Sequence, residues 1–137
     1  MLFMLDTDTC SYIIRQRPLE VLSAMQVKTE KGDDICISVV TYAELRLGAE
    51  RSASARKYNR AIDQFCERLG SIMPWDKSAA DEFAILQARL YKAGTPIGLN
   101  DAMIAAHAIN RGAVLVTNNH KHFSKVSRLK LDNWVAR

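Results

Sequence analysis

The segment Ala113 to Thr117, AVLVT, constrains the fold more than any other stretch. It is a run of small and β-branched apolar residues with no polar position to turn toward water. Such a strand is stable only when both of its faces are covered, which is the situation of a parallel sheet in an α/β protein. Leu2 to Leu5 and Ile35 to Ser38 have the same character, and Ser71 to Met73 and Leu129 to Trp134 read as further short strands. Between them lie stretches of helical character: Thr9 to Arg15, Leu19 to Glu30, Thr41 to Ala49 and Ala55 to Leu69. In the last of these, Tyr58, Ile62, Phe65, Cys66 and Leu69 share one face. Asp76 suits the N-cap of a long helix reaching about Lys92, closed by Gly94 and Pro96. Asn100 to Asn110 is an alanine-rich helix that Gly112 ends. Strands alternating with helices predict a three-layer α/β/α domain with a mainly parallel sheet of four or five strands. The 137 residues fit one such domain.

Several function classes drop out on composition. No apolar stretch approaches the roughly eighteen residues of a membrane helix. The opening MLFMLDTDTC is apolar only as far as Asp6 and lacks a basic flank, so no secretory signal and a cytoplasmic location are expected. Cys10, Cys36 and Cys66 are odd in number and widely spaced, which predicts reduced, mostly buried thiols. His107, His120 and His122 are too few for a zinc site, and His120-x-His122 reads as a solvated loop pair. The net charge of +4 permits a polyanionic partner without demanding one. Basic residues gather from Arg46 to Arg60, at Arg111, and from Lys121 to Lys130.

In open α/β sheets, ligands bind beyond the carboxyl ends of the strands. Asp6 follows the first strand, and Glu44 lies soon after the second. Asn118 and Asn119 follow AVLVT, and Asp101 opens the helix just before it. Four polar points from distant parts of the chain are therefore expected at one end of the sheet. Each also has a structural reading. Asp6 can cap the first helix, although Asp8 is the better candidate for that. Glu44 stands three residues after Thr41, the capping-box spacing. Asp101 favours the positive end of a helix dipole, and Asn118-Asn119 suits a turn. Grouped acids repel unless a cation or a shared proton sits among them. Carboxylate oxygens suit Mg²⁺ or Mn²⁺, ions that activate water and polarise phosphodiesters without a nucleophilic side chain.

Three blocks carry a family resemblance. MLFMLDTDTCSYIIR (Met1 to Arg15) resembles the first strand and turn of PIN domains. VVTYAELRLG (Val39 to Gly48) resembles the helix that bears their glutamate. PIGLNDAMIAAHAINRGAVLVTNNHKHF (Pro96 to Phe123) resembles their second aspartate block and the strand after it. The likeness spans nearly the whole chain in order and spacing. It is greatest to the VapC toxins of toxin–antitoxin pairs, especially the enteric type that cleaves initiator tRNA in the anticodon stem-loop. The resemblance implies a PIN-like fold, metal-dependent RNA hydrolysis, a VapB-like antitoxin partner and a homodimer. It makes Asp6 and Asp101 metal ligands, and Glu44 a third ligand or the group that orients water. Thr117-Asn118-Asn119 puts an amide where many PIN domains carry a fourth acid. Thr7, Asp8, Asn118 and Asn119 are then expected around the ligands, with Arg46 and Lys121 as weaker candidates for RNA contacts. The alternatives are a PIN nuclease that processes cellular RNA without a toxin role, and a non-catalytic RNA-binding module.

Overall fold

In a computed structural model, residues 1–135 are described. Five strands form one sheet: β1 (Leu2–Leu5), β2 (Asp34–Ser38), β3 (Ser71–Met73), β4 (Val114–Val116) and β5 (Leu131–Asp132). Their order is β3-β2-β1-β4-β5, and every neighbouring pair is parallel. The helices are α1 (Thr7–Arg15), α2 (Leu19–Glu30), α3 (Val39–Arg51), α4 (Ala55–Cys66), α5 (Lys77–Lys92), α6 (Leu99–Asn110) and α7 (His120–Phe123).

The inner strands β1, β2 and β4 are largely apolar because the sheet is buried there on both faces. Phe3, Leu5, Ile35, Ile37 and Val116 point into one core, with Cys10 and Ile13 of α1, Val21 and Met25 of α2, Leu45 of α3 and Phe65 of α4. Their alternates Met4, Cys36 and Leu115 point into the other, with Leu86 and Leu90 of α5, Ile104 of α6 and Phe123 of α7. This is the period-2 alternation of a strand with helices on each side. The small residues Ala102, Ala105, Ala106 and Ala108, all fully buried, let α6 lie close to the second core. Gly112, at φ 65°, turns the chain from α6 into β4.

The chain builds the sheet outward from β1 in one direction through β2 and β3. It then returns to the other side of β1 for β4 and β5. The carboxyl ends of β1 and β4 therefore flank the point where strand order reverses. That is where a doubly wound sheet leaves a crevice.

Local differences from the sequence reading have physical causes. Helix α3 begins at once after β2, with Ser38 as N-cap accepting from the Val40 N–H at 3.1 Å. Thr41 is therefore a buried residue inside the helix, and the Thr41–Glu44 capping box does not exist. Asp6, not Asp8, caps α1, and Asp8 lies exposed in the first turn. Helix α4 stops at Cys66 rather than Leu69, and the last strand shrinks to Leu131–Asp132. Helix α7 has four residues, too few for a periodic signal. All three cysteines are free thiols, with Cys10 and Cys36 buried. Among the described residues, no helix is long and apolar enough to cross a membrane.

If two-sided burial holds the fold, truncating a central strand toward either core should be severe. Leu115 is fully buried in β4. Leu115→Ala is expected to cost about 2–5 kcal/mol. Urea unfolding measures it as a lowered midpoint at unchanged slope, and a loss well under 1 kcal/mol would contradict the packing described.

Candidate active site

Asp6 leaves β1 at the reversal point. Its N–H donates to the Val116 carbonyl of β4 at 3.0 Å. Its carboxylate Oδ1 accepts from the Thr9 N–H at 2.8 Å, the bond that caps α1. The Thr117 side chain also acts on this carboxylate as a hydrogen-bonding neighbour, while the Thr9 hydroxyl donates to the Val116 carbonyl at 3.1 Å. Thr117 is fully buried just beyond β4, and its Oγ1 accepts from the Asn119 N–H at 2.9 Å. That bond leaves the Thr117 O–H to be given to Asp6. Asp6 itself is only 5% exposed. Burial pushes its carboxyl above the usual range, the hydrogen bonds partly oppose this, and the Asp8 charge adds to it.

Glu44 projects from α3 and is held at both oxygens. Oε1 accepts from the Thr7 hydroxyl at 2.5 Å, and Oε2 accepts from Asn100 Nδ2 at 3.2 Å. It thereby joins the start of α1 to the start of α6. Asp101, in the first turn of α6, has Oδ2 at 3.0 Å from His122 Nε2. Burial raises its carboxyl too. His122 opposes that rise, while the Glu44 and Asp8 charges add to it.

The acids influence one another pairwise. Asp8 acts on both Asp6 and Asp101, and Glu44 acts on Asp101. They do not close up: among the described residues, no three carboxylate, imidazole or thiol groups form a metal cage. No Lys or Arg is among the principal groups acting on Asp6 or Asp101. A cleft runs from Thr7 and Glu44 past Ser11 and Arg15 to Tyr58.

The remaining expected residues fall in several places. Asn118 is engaged with Asn133, whose Nδ2 donates to its Oδ1 at 3.0 Å. Asn119 is exposed at the start of α7, where its backbone rather than its side chain meets Thr117. Lys121 is exposed on α7. Arg46 is committed inside the protein: it lies over the Tyr42 ring, bonds Asn59 at 2.8 and 3.0 Å, and pairs with Asp63. Its guanidinium fastens α3 to α4, with the side chain 26% exposed. The solvated-loop reading of His120-x-His122 is corrected, since both residues lie on α7 and His122 meets Asp101. Thr117, Asn100 and His122 are the participants that sequence reasoning missed. Each stands beside a residue it singled out, and the carboxyl-end rule applied to Thr117 and the segment after it would have found two of them.

Comparison with known proteins agrees with this fold. The family model for the PIN domain matches residues 3–129. Ribonuclease VapC2 of Haemophilus influenzae is 41% identical over 133 residues, covering 97% of this chain and 98% of the relative. The chain belongs to the VapC family of PIN domains. Another VapC relative, the tRNA(fMet)-specific endonuclease VapC of Salmonella typhimurium, is 36% identical over 132 residues, covering 96% of this chain and 97% of the relative. Among solved structures, VapBC2 from Rickettsia felis bound to a promoter DNA fragment superposes with a TM-score of 0.92 at 33% identity. The match covers 98% of this chain and 100% of that one. The sheet order and the reversal point are therefore features of a VapC fold.

The raised carboxyl of Asp6 has a thermodynamic consequence with a definite sign. Its unfolded value is near 3.8 and its folded value is higher. Its contribution to stability is therefore greatest below 3.8 and is lost as pH rises through the folded value. Asp6→Asn keeps a good N-cap but removes the charge. In chelator, its stability relative to wild type should rise as pH is raised from 4 toward neutrality. Thermal melts across that range test this, and a relative stability that falls with pH would show that the ionised Asp6 is the favoured form.

Proposed function

We propose that the chain is a metal-dependent endoribonuclease toxin of a VapBC pair that cuts tRNA. The observation that carries this reading is the buried Asp6 carboxylate at the sheet reversal, with Asp8 acting on both it and Asp101, Glu44 acting on Asp101, and no Lys or Arg among the principal groups acting on Asp6 or Asp101. Both ligand candidates are hard to ionise as they stand, and a divalent cation removes that penalty. An ion such as Mg²⁺, which takes one or two carboxylates and keeps several waters, needs no larger ligand cage. Asp6 and Asp101 would hold Mg²⁺ or Mn²⁺. When bound, such an ion supplies an activated water and charge stabilisation at the phosphate.

The protein's own groups have separate duties. Thr9 and Thr117 fix the Asp6 carboxylate so that it cannot swing away from the crevice. Thr7 and Asn100 fix Glu44 at both oxygens. Held in that way, Glu44 can accept a hydrogen bond from a water and carry its proton off. Substrate enters along the cleft beside Glu44, where Arg15 supplies positive charge to the phosphate backbone. Lys121 on α7 is the second candidate for a backbone contact. Relatives named ribonuclease VapC, and one named as specific for tRNA(fMet), support RNA as the substrate and tRNA as its class. A VapB-like antitoxin is the natural inhibitor, since a carboxylate is a ready bidentate partner for guanidinium. The protein would act in the cytoplasm as a homodimer.

Asp6→Ala, Glu44→Ala and Asp101→Ala are each expected to lower RNA cleavage by about 10²-fold or more. Cleavage should stop in excess chelator and return with Mg²⁺ or Mn²⁺. Sequencing of RNA ends after brief induction should show one dominant cut in a tRNA. Undiminished cleavage in chelator sinks the metal mechanism, and cuts scattered over many messages sink the tRNA assignment.

A further inference from the structure

We propose that His107 is a positioning residue for RNA cleavage: its buried bond to Ser38 locks α6 against the cap of α3 and so sets Asp101 relative to Glu44. The inference rests on the nuclease reading above and adds a residue outside the group of acids.

His107 is fully buried on α6, six residues beyond Asp101. Its Nδ1 stands 2.8 Å from Ser38 Oγ. Ser38 is fully buried as well, at the end of β2, and the same oxygen accepts from the Val40 N–H at 3.1 Å to cap α3. Glu44 stands six residues beyond Ser38. One hydroxyl therefore joins the helix that carries Glu44 to the helix that carries Asp101.

Little else makes this connection. Among the described residues, two hydrogen bonds tie α6 to α3 and its cap: this one, and Asn100 Nδ2 to Glu44 Oε2 at 3.2 Å. The second is exposed, and its acceptor is the carboxylate that has to be held. A hydrogen bond in the interior is stronger than one that competes with water. Asn100 and His107 are seven residues apart, two helical turns, so they share one face of α6. Without the buried bond, the polar tie that remains between the helices is the one to Glu44. Apolar packing is a poor substitute. Ala102, Ala105, Ala106 and Ala108 let α6 come close, but methyl groups raise shallow ridges that resist sliding and rotation weakly. A misplacement of about 1 Å at a reacting group can cost about 10²-fold in rate, so a close-packed helix with a smooth face needs a polar fastening.

The ring is suited to that task in its neutral form. Burial and the Arg111 guanidinium push its pKa below the ordinary imidazole value, while Asp76 at the start of α5 and the Pro74 carbonyl oppose the shift. Its Nε2 is closed to solvent and makes no aligned hydrogen bond. A buried polar atom left in that state costs stability, which an apolar side chain of similar size would avoid. What histidine supplies in return is the Nδ1 bond to Ser38. The competing view is that His107 merely fills space in the core.

Steady-state cleavage of an initiator tRNA transcript by His107→Leu, His107→Asn and Ser38→Ala separates the two. Leucine keeps the bulk without a polar atom. Asparagine is smaller and packs less well, but its amide reaches the place of Nδ1. Positioning predicts that folded His107→Leu loses about tenfold or more in kcat, with KM within about twofold of wild type. His107→Asn should regain most of that kcat despite its poorer packing. His107→Leu combined with Ser38→Ala should lose no more than the worse single variant, because both act through one bond. In nitrogen-edited NMR spectra, the Asn100 side-chain amide should shift in His107→Leu and return toward its wild-type position in His107→Asn. Wild-type kcat in folded His107→Leu would overturn the proposal. So would a kcat that merely follows melting temperature, with asparagine no better than leucine. Where His107→Leu does not fold, Ser38→Ala decides in the same terms, since it leaves the imidazole in place. No cleavage by the wild type would overturn the nuclease reading, and an Asn100 signal unmoved in His107→Leu would overturn the alignment of the two helices.

Discussion

Asp6 stands where three demands meet. Its backbone N–H bonds β4, its side chain caps α1, and its carboxylate is buried at the reversal of strand order. The Thr9 hydroxyl bonds the same Val116 carbonyl at 3.1 Å, so the end of β4 and the start of α1 are tied through one point. Moving Asp6 would therefore disturb the two central strands and the first helix together. The cost of this arrangement is a carboxylate that burial disfavours as an anion. A cation beside it offsets that cost, and the same cation is what phosphodiester hydrolysis needs. In the proposed function one side chain would meet both structural and chemical demands, its capping bond taking Oδ1 through the Thr9 N–H.

The rest of the site follows from sheet order. Helix α3 starts directly off β2, and α6 leads into β4, so Glu44 and Asp101 arrive at the same end of the sheet from opposite sides of β1. Side chains of neutral residues then set the carboxylates in place: Thr117 on Asp6, Thr7 and Asn100 on Glu44. These bonds satisfy the acids without neutralising them.

Much of the architecture was legible because apolar strands and helical runs carry strong periodic signals. Leu2–Leu5, Ser71–Met73 and the helices at 19–30 and 77–92 lie where their patterns put them. Helix starts were less legible. Asp6 and Asp8 are both good caps by type, and only the strand end at Leu5 decides between them. Thr41 and Glu44 fit a capping box in spacing, but the helix already begins at Val39 because Ser38 supplies the cap. The acids were visible as residues placed after strands. Their supports were not, because the contacts of Thr117 with Asp6 and His122 with Asp101 join segments with no shared periodicity. The partners of Arg46 were hidden for a related reason: a basic residue in a basic cluster gives no sign that Tyr42, Asn59 and Asp63 engage it.

The central claim is that the crevice beyond β1 and β4 holds a divalent cation between Asp6 and Asp101. Crystals of the protein soaked in Mn²⁺ and measured at a wavelength where manganese scatters anomalously give the direct answer. The account predicts one strong anomalous peak within coordination distance of both carboxylates. No peak there, or a peak bound only at the molecular surface, would contradict it.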